Sequence, residues 1–403
     1  MSTETLDTAR GLHRGWLVTA GCFLFAIFSW GSVFYGHGFY IQQLTVLHGW
    51  STSAVSGAVV LFWVVGIPMT FVAGSLIDRF GPRAVIAAGA MLVGISVIGI
   101  GHATELWQVW LAFVVMALGY PAVGVVGISS TLNPWFGRNL GVAMSFALTG
   151  ASVGAMIVIP TVARLAEAHG FAFTATALGL SVIAVTLPIA AFVISAPPVA
   201  AGTVRPAVFG NVRPLIASRD FRIIGIGTGL SLMAQVGFLS HQFPVMAEHL
   251  AQTDAADAVA IAAFSSIFGR FGLGWLAARV DLRHLSAGAW LVQAIGLAAI
   301  AEAGGTDMIY AACALSGFVV GALVMLPPLL VRRWFGTAGY GRTYGLLAVA
   351  LYLFQAMGPG LTGVAHDIAE TYRPALWGQA AVLLLAIVVL MRLGAPPPAE
   401  GGR

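Results

Sequence analysis

Twelve runs of mainly apolar residues follow one another along the chain, each as long as a helix needs to cross a bilayer. Their limits, read from the sequence, are 16–46, 52–77, 84–101, 106–132, 139–163, 173–194, 221–248, 257–278, 285–302, 308–331, 343–364 and 375–393. None alternates as a membrane strand does, so each predicts a helix. Turn chemistry marks two short gaps, His48-Gly49-Trp50-Ser51 and Asp78-Arg79-Phe80-Gly81-Pro82-Arg83. The longest polar interval, 195–220, holds Pro197, Pro198, Pro206 and Pro214 and divides the runs six and six. The expected organisation is a polar tail at 1–15, a six-helix bundle at 16–194, a linker at 195–220, a second six-helix bundle at 221–393 and a disordered tail at 394–403. The first run is too long for the apolar region of a signal peptide and reads as a first span.

Composition fixes the solvent. Of 403 residues, 59% are hydrophobic and 8% charged, where a soluble domain carries about 25% charged residues. The fifty glycines suit close-packed membrane helices. All nineteen basic residues are arginine. With the N-terminus inside, sixteen of them fall on the cytoplasmic side, only Arg164 and Arg373 fall outside, and Arg270 lies within a span. That bias fits a bacterial-style inner membrane protein with both termini in the cytoplasm. The basic surplus therefore orients the chain in lipid, and nucleic acid is not an expected partner. Cys22 and Cys313 sit inside apolar runs and predict free thiols. No His/Cys cluster has metal-ligand spacing, and no nucleophile–His–acid set stands out. A Gly-x-x-x-x-Gly-Lys phosphate loop cannot occur without lysine. The expectation is not an enzyme, with no cofactor and no metal.

The two halves repeat at an offset near 200. Gly74-Ser75-Leu76-Ile77-Asp78-Arg79, with Arg83 after it, returns as Gly274-Trp275-Leu276-Ala277-Ala278-Arg279, with Arg283 after it. Trp135-Phe136-Gly137, then Arg138 and Gly141, returns as Trp334-Phe335-Gly336, then Arg342 and Gly345. Parallel repeats of six helices imply a pair of bundles related about an axis along the membrane normal.

One charge breaks the apolar pattern. Arg270 lies nine residues before Arg279, roughly 13 Å along a helix. A guanidinium at such depth costs about 2.5–3.5 kcal/mol on insertion scales. Its planar fork can hold a carboxylate through two parallel hydrogen bonds; backbone carbonyls of the seventh or eleventh span, or polar side chains, could satisfy it instead. No acidic residue falls inside a predicted span other than as its end residue (Glu248, Asp257, Glu302), so an internal ion pair is not expected. His37 and His241, in the first and seventh spans, are the candidate proton carriers. Gln242 follows His241, and Pro244 is expected to break that helix and free backbone groups. Tyr120, Tyr352, Gln42 and Gln355 are polar positions suited either to cargo or to helix–helix bonds. Asp78, Arg79, Arg83, Arg138 and Arg342 are gating candidates, because Asp78 could face the positive start of the eleventh span near Arg342. With Ala278 at the mirror position, such a latch would be asymmetric. The third, sixth, ninth and twelfth spans lack interior charge and suit lipid-facing support.

Gly74, Asp78, Arg79, Gly81 and Arg83 match the loop motif Gly-x-x-x-Asp-Arg-x-Gly-x-Arg, and on them the chain resembles the major facilitator superfamily over about 16–393. Within it, Tyr35-Gly36-His37-Gly38-Phe39, His48-Gly49-Trp50-Ser51, Asn133-Pro134-Trp135-Phe136 and Gly269-Arg270 are similar to the monocarboxylate transporter and oxalate–formate exchanger group. The resemblance implies an all-α membrane fold of twelve helices in two pseudo-symmetric bundles. It also implies secondary active transport of a small organic anion by alternating access, with the carboxylate on Arg270. Proton-coupled members place an aspartate one turn before that arginine, where this chain has Ser266. The group often carries a lysine in the first or eleventh helix, and this chain has none. Expected partners are a small carboxylate, protons if a histidine carries them, and the lipid bilayer, with the chain acting as a monomer. The alternative is an exporter of amphiphilic or aromatic compounds, with Trp63, Phe146 and Phe354 lining an apolar cavity.

Overall fold

The computed structural model describes residues 3–136, 140–195, 213–277, 279–323, 325–336 and 340–394, with side chains from 14 onward and excluding 322, 323 and 340–342. The expected linker lies mostly, and the C-terminal tail almost wholly, outside the described residues, as does Arg138. In chain order the helices are α1 (Thr3–Ser32), α2 (Gly36–His48), α3 (Thr52–Phe80), α4 (Pro82–Gly101), α5 (Leu106–Val123), α6 (Val125–Leu132), α7 (Leu140–His169) and α8 (Phe171–Pro188), which continues as a π-helical turn over Ile189–Val193. Then follow α9 (Arg213–Ala217), α10 (Arg219–Ala247), α11 (Gln252–Ala277), α12 (Leu282–Ala301), α13 (Thr306–Leu323), α14 (Leu326–Phe335), α15 (Tyr340–Ala369) and α16 (Arg373–Leu390). Among the described residues, twelve helical stretches are long and apolar enough to cross a membrane. The protein is an all-α, multi-pass membrane protein.

The backbone makes the repeat visible. Offset by 200, α4 overlies α12 residue for residue, and α5 overlies α13. By contact the chain falls into two units. Unit 1 is Met1–Thr203 with Ala251–Ala260, and unit 2 is Val204–Leu250 with Ile261–Arg403. The first turns of α11 thus belong to unit 1, where Arg164 Nη2 bonds Asp257 Oδ1 at 2.9 Å and Gln43 Nε2 donates to Gln252 Oε1 at 3.0 Å. In unit 1, α1 packs on α7, and α4 on α5 and α8; in unit 2, α10 packs on α15 and α16, and α12 on α13 and α16. Glycines permit the closest crossings. A Cβ on Gly150 or Gly154 would overlap the α1 carbonyls of Phe23 and Ile27, and one on Gly358 would overlap Met233 O on α10.

Among the described residues, two spans are interrupted, which apolar run length does not reveal. The first breaks between α1 and α2, where the Tyr40 hydroxyl donates to Ser32 O at 2.7 Å. The fourth breaks at Gly124, where Ser29 Oγ from α1 donates to Val123 O at 3.1 Å. Side chains there occupy carbonyls that a continuous helix would use itself. In the tenth span, Pro327 and Pro328 lie in the first turn of α14. The expected break at Pro244, by contrast, does not occur. α10 runs through it to Ala247, because a proline so near the end leaves one carbonyl, Ser240 O, without its helical donor. The spans also extend further than expected, so Asp78, Glu167, Asp220, Asp254, Asp257, Asp307 and Asp367 fall in terminal turns of helices rather than in loops. Cys22 and Cys313 are buried free thiols.

Arg83 and Arg283 hold the same place in the two units. Arg83 Nε donates to Ile194 O, past the end of α8. Arg283 Nη1 donates to Leu393 O and Gly394 O, both at 3.1 Å, past the end of α16. Each arginine caps the C-terminal end of its unit's last helix, where carbonyls lack intrahelical donors. Asp281 caps the start of α12 through the Arg283 N–H at 2.8 Å and pairs with the Arg283 guanidinium. That side-chain bond holds the Asp281 carboxyl below its ordinary range. A depressed carboxylate stabilises the fold above its unfolded pKa, and the contribution is lost as pH falls through the folded value. Native protein and Asp281→Asn should therefore differ in melting temperature at neutral pH and converge as pH drops through and below about 4. A gap that stayed constant with pH in detergent melts would show that the pair does not titrate as described.

Candidate functional site

Arg270 lies on α11, seven residues before the helix ends at Ala277. Along the same helix the nearest acid is Asp257, thirteen residues and about 20 Å away. What brings the helices together here is Gly317-x-x-x-Gly321 on α13. A Cβ at Gly317 would overlap Ala262 O, and one at Gly321 would overlap Ser266 O. On the α11 side, a Cβ at Gly269 would overlap Phe318 O. Small residues on both faces thus let backbone meet backbone. Ser265 Oγ donates to Ala314 O at 2.7 Å across this crossing.

The crossing sets the guanidinium. Arg270 is half-buried, and its Nε donates to Gly321 O at 3.4 Å. The preceding carbonyl, Val320 O, accepts from Gln235 Nε2 of α10 at 3.3 Å. Two adjacent carbonyls of α13 therefore take one donor from α11 and one from α10. This backbone partner is on the tenth span. A backbone carbonyl orients a guanidinium without matching its charge. Ser266, one turn before Arg270, is buried and donates to Ala263 O at 2.6 Å.

The other sequence-nominated residues fall in separate places. His37 opens α2 and is fully buried in unit 1, its ring 4.9 Å from Phe62 and 5.4 Å from Phe113. Tyr120 is half-buried, edge-on to Trp30 at 5.8 Å. Gln42 is half-buried on α2. In unit 2, Tyr352 and Gln355 are half-buried and three residues apart on α15, which puts them on one side of that helix. Gln242 is 2% exposed, and neither amide atom has a hydrogen-bond partner among the described residues. His241 is fully buried, with Nδ1 at 3.1 Å from Gly237 O. Asp78, Arg79 and Arg83 are exposed; Arg79 lies over the Phe80 ring at 5.0 Å, while Arg83 serves the helix-end cap within unit 1. The Arg342 side chain lies outside the described residues. For the exporter alternative, Trp63 is buried against Phe34 and Phe62, Phe146 is half-exposed beside Phe23, and Phe354 packs on Gly229.

A titratable cluster beyond His241 was not singled out from sequence. The His241 ring lies 5.5 Å from Tyr372, and the Tyr372 ring lies 4.2 Å from His366, the two planes tilted by 36°. His366 Nε2 is 3.6 Å from Glu248 Oε1, and its Nδ1 is 3.5 Å from Asp367 Oδ1. Glu248 also accepts from the Tyr372 backbone N–H at 3.0 Å and from Thr371 Oγ1 at 3.3 Å. These residues come from α10, α15 and the turn before α16, with more than 100 positions between Glu248 and its partners, so no local pattern announces them.

The family model described as Major Facilitator Superfamily matches residues 19–301 and 224–403. The chain belongs to the major facilitator superfamily. Human monocarboxylate transporter 11 is 26% identical over 314 residues, covering 73% of this chain and 65% of that protein. The uncharacterized transporter YcxA of Bacillus subtilis is 26% identical over 272 residues, 65% of this chain and 64% of its own length. The chain thus spans just under two thirds of each of these relatives. Among solved structures, the nucleoside transporter NupG superposes with a TM-score of 0.79 at 12% identity, over 94% of this chain and 99% of that one. A bacterial homologue of the lysosomal transporter Spinster gives 0.73 at 13% identity, over 94% and 96%. Identities this low show the fold alone. It is the fold of secondary transporters, and the relatives and neighbours are transporters, not enzymes.

Proposed function

We propose that this superfamily member is a secondary active transporter of a small organic anion, monocarboxylate-like in size, working by alternating access. The observation that carries the reading is Arg270: a guanidinium well inside an apolar helix, its Nε donating to Gly321 O at 3.4 Å, with the nearest acid along that helix, Asp257, thirteen residues away. A carboxylate suits such a group better than a backbone carbonyl does, because it brings both the geometry and the opposite charge. The likeness to human monocarboxylate transporter 11 supports the same cargo class. Gln242, Tyr352 and Gln355 supply neutral hydrogen-bonding groups suited to the rest of a small polar solute. Proton coupling, where it operates, runs through His241 and the Tyr372–His366–Glu248–Asp367 cluster rather than through an acid beside Arg270. The protein works as a monomer in an inner membrane with both termini cytoplasmic, as its arginine bias suggests.

Counterflow in proteoliposomes tests this directly. Vesicles loaded with short mono- and dicarboxylates should take up labelled monocarboxylate, and a pH gradient should alter the rate if the histidine cluster is coupled. Exchange of amphiphilic cations with no carboxylate exchange would replace this reading with the exporter.

A further inference from the structure

We propose that ordered water occupies a seam inside unit 2, along the buried face of α12. Ser286, Trp290 and Gln293 follow one another at helical spacing on that face. They are 0%, 1% and 0% exposed. Ser286 Oγ, Trp290 Nε1 and both amide atoms of Gln293 have no hydrogen-bond partner among the described residues. One turn further, Gly296 lies against Ser316 of α13, whose buried Oγ also has no protein partner. At the other end, the Arg283 guanidinium stands 6.0 Å from the ring of Trp334 on α14, where Nε1 is a further buried atom in the same condition.

Unit 1 shows what this face looks like when packing is its only task. At the repeat-related positions stand Ile86, Ala90 and Val93 on α4 and Met116 on α5, all fully buried. The burial is the same in both units, and the chemistry is opposite. Helix packing therefore does not require polar groups here. Direct bonding between the ends of the stripe is out of reach, since Ser286 and Gln293 are seven residues and about 10 Å apart along the helix. Groups buried in this way are satisfied by water that makes two to four hydrogen bonds. A Gln amide, an indole N–H and serine hydroxyls offer both donors and acceptors to such molecules. The seam lies within unit 2 and does not depend on which solute the protein carries.

X-ray hydroxyl-radical footprinting with mass spectrometry reads such water, because radicals formed in place oxidise the side chains around them. Trp290 should be oxidised several-fold faster than its burial allows. Gln293→Val, which installs the residue found at position 93, should reduce that oxidation several-fold while leaving exposed Trp107 unchanged. Ser286→Ala gives a second reading should Gln293→Val fail to give a monodisperse protein. A high-resolution map should place water within hydrogen-bond reach of the Gln293 amide. Trp290 oxidation at background in the native chain, or a map in which the Ser286, Trp290, Gln293 and Ser316 polar atoms bond directly to protein, overturns the proposal.

Discussion

Arg270→Ala is expected to abolish carboxylate exchange while the protein still inserts and stays monodisperse. Removing one partner of a buried, hydrogen-bonded charge pair costs about 2–5 kcal/mol of binding, roughly 30- to several-thousand-fold in affinity. The structural cost should be much smaller. The Arg270 bond to Gly321 O is long, and an ordinary hydrogen bond contributes about 1 kcal/mol. The helix crossing beside it is made by glycine and serine backbone contacts that the mutation leaves alone. Arg270→Lys should fall between the two, since an ammonium keeps the charge and loses the planar fork. Exchange rate and melting temperature measured on the same preparations separate the explanations. If activity is retained in Arg270→Ala, or is lost only in proportion to a large fall in folded protein, the carboxylate site is elsewhere.

Gly321→Leu should have the largest effect on stability. The new Cβ would sit inside the Ser266 carbonyl and 3.3 Å from the Arg270 Cβ. The obstructing atom is helix backbone, so no side-chain rotation relieves the overlap, and α11 must move away from α13. Overpacking of this sort costs about 1–3 kcal/mol or more, and it separates the helices that orient Arg270. The expected result is aggregated or poorly expressed protein, judged by size exclusion in detergent. Gly66→Ala is the matched control, because nothing lies within 4 Å of a Cβ there and Ala is the better helix former by about 0.5–1 kcal/mol. Equal thermal stability of Gly321→Leu and native protein would mean that the α11–α13 crossing is looser than described.

Much of the architecture could be read from the chain because the bilayer imposes it. A segment in hydrocarbon must satisfy its own backbone, so run length translates into helices with little ambiguity. The same reading failed where a span is interrupted. The breaks between α1 and α2 and at Gly124 depend on Tyr40 and Ser29 reaching carbonyls that no pattern of apolar residues encodes. At Pro244 the opposite occurred, and a breaker residue left its helix intact. The ninth span lacks charge, as lipid-facing support requires, and Leu291 and Ile295 are exposed on it. Its other face carries Gln293, a residue that charge counting overlooks.

What the sequence by itself determined is the solvent, the number of spanning helices, the repeat near 200 residues and the one arginine deep in a span. Each follows from hydrophobic length, charge placement or self-similarity, which are properties of neighbours along the chain. Only the tertiary structure decided what those residues touch. It set Arg270 on a carbonyl of α13, turned Arg83 and Arg283 into matching caps on the last helix of each unit, and joined His241 through Tyr372 to His366 and Glu248. The reason is distance: apart from Tyr372 and His366, those partners lie 50 to more than 100 positions apart, and only close helix packing brings them together.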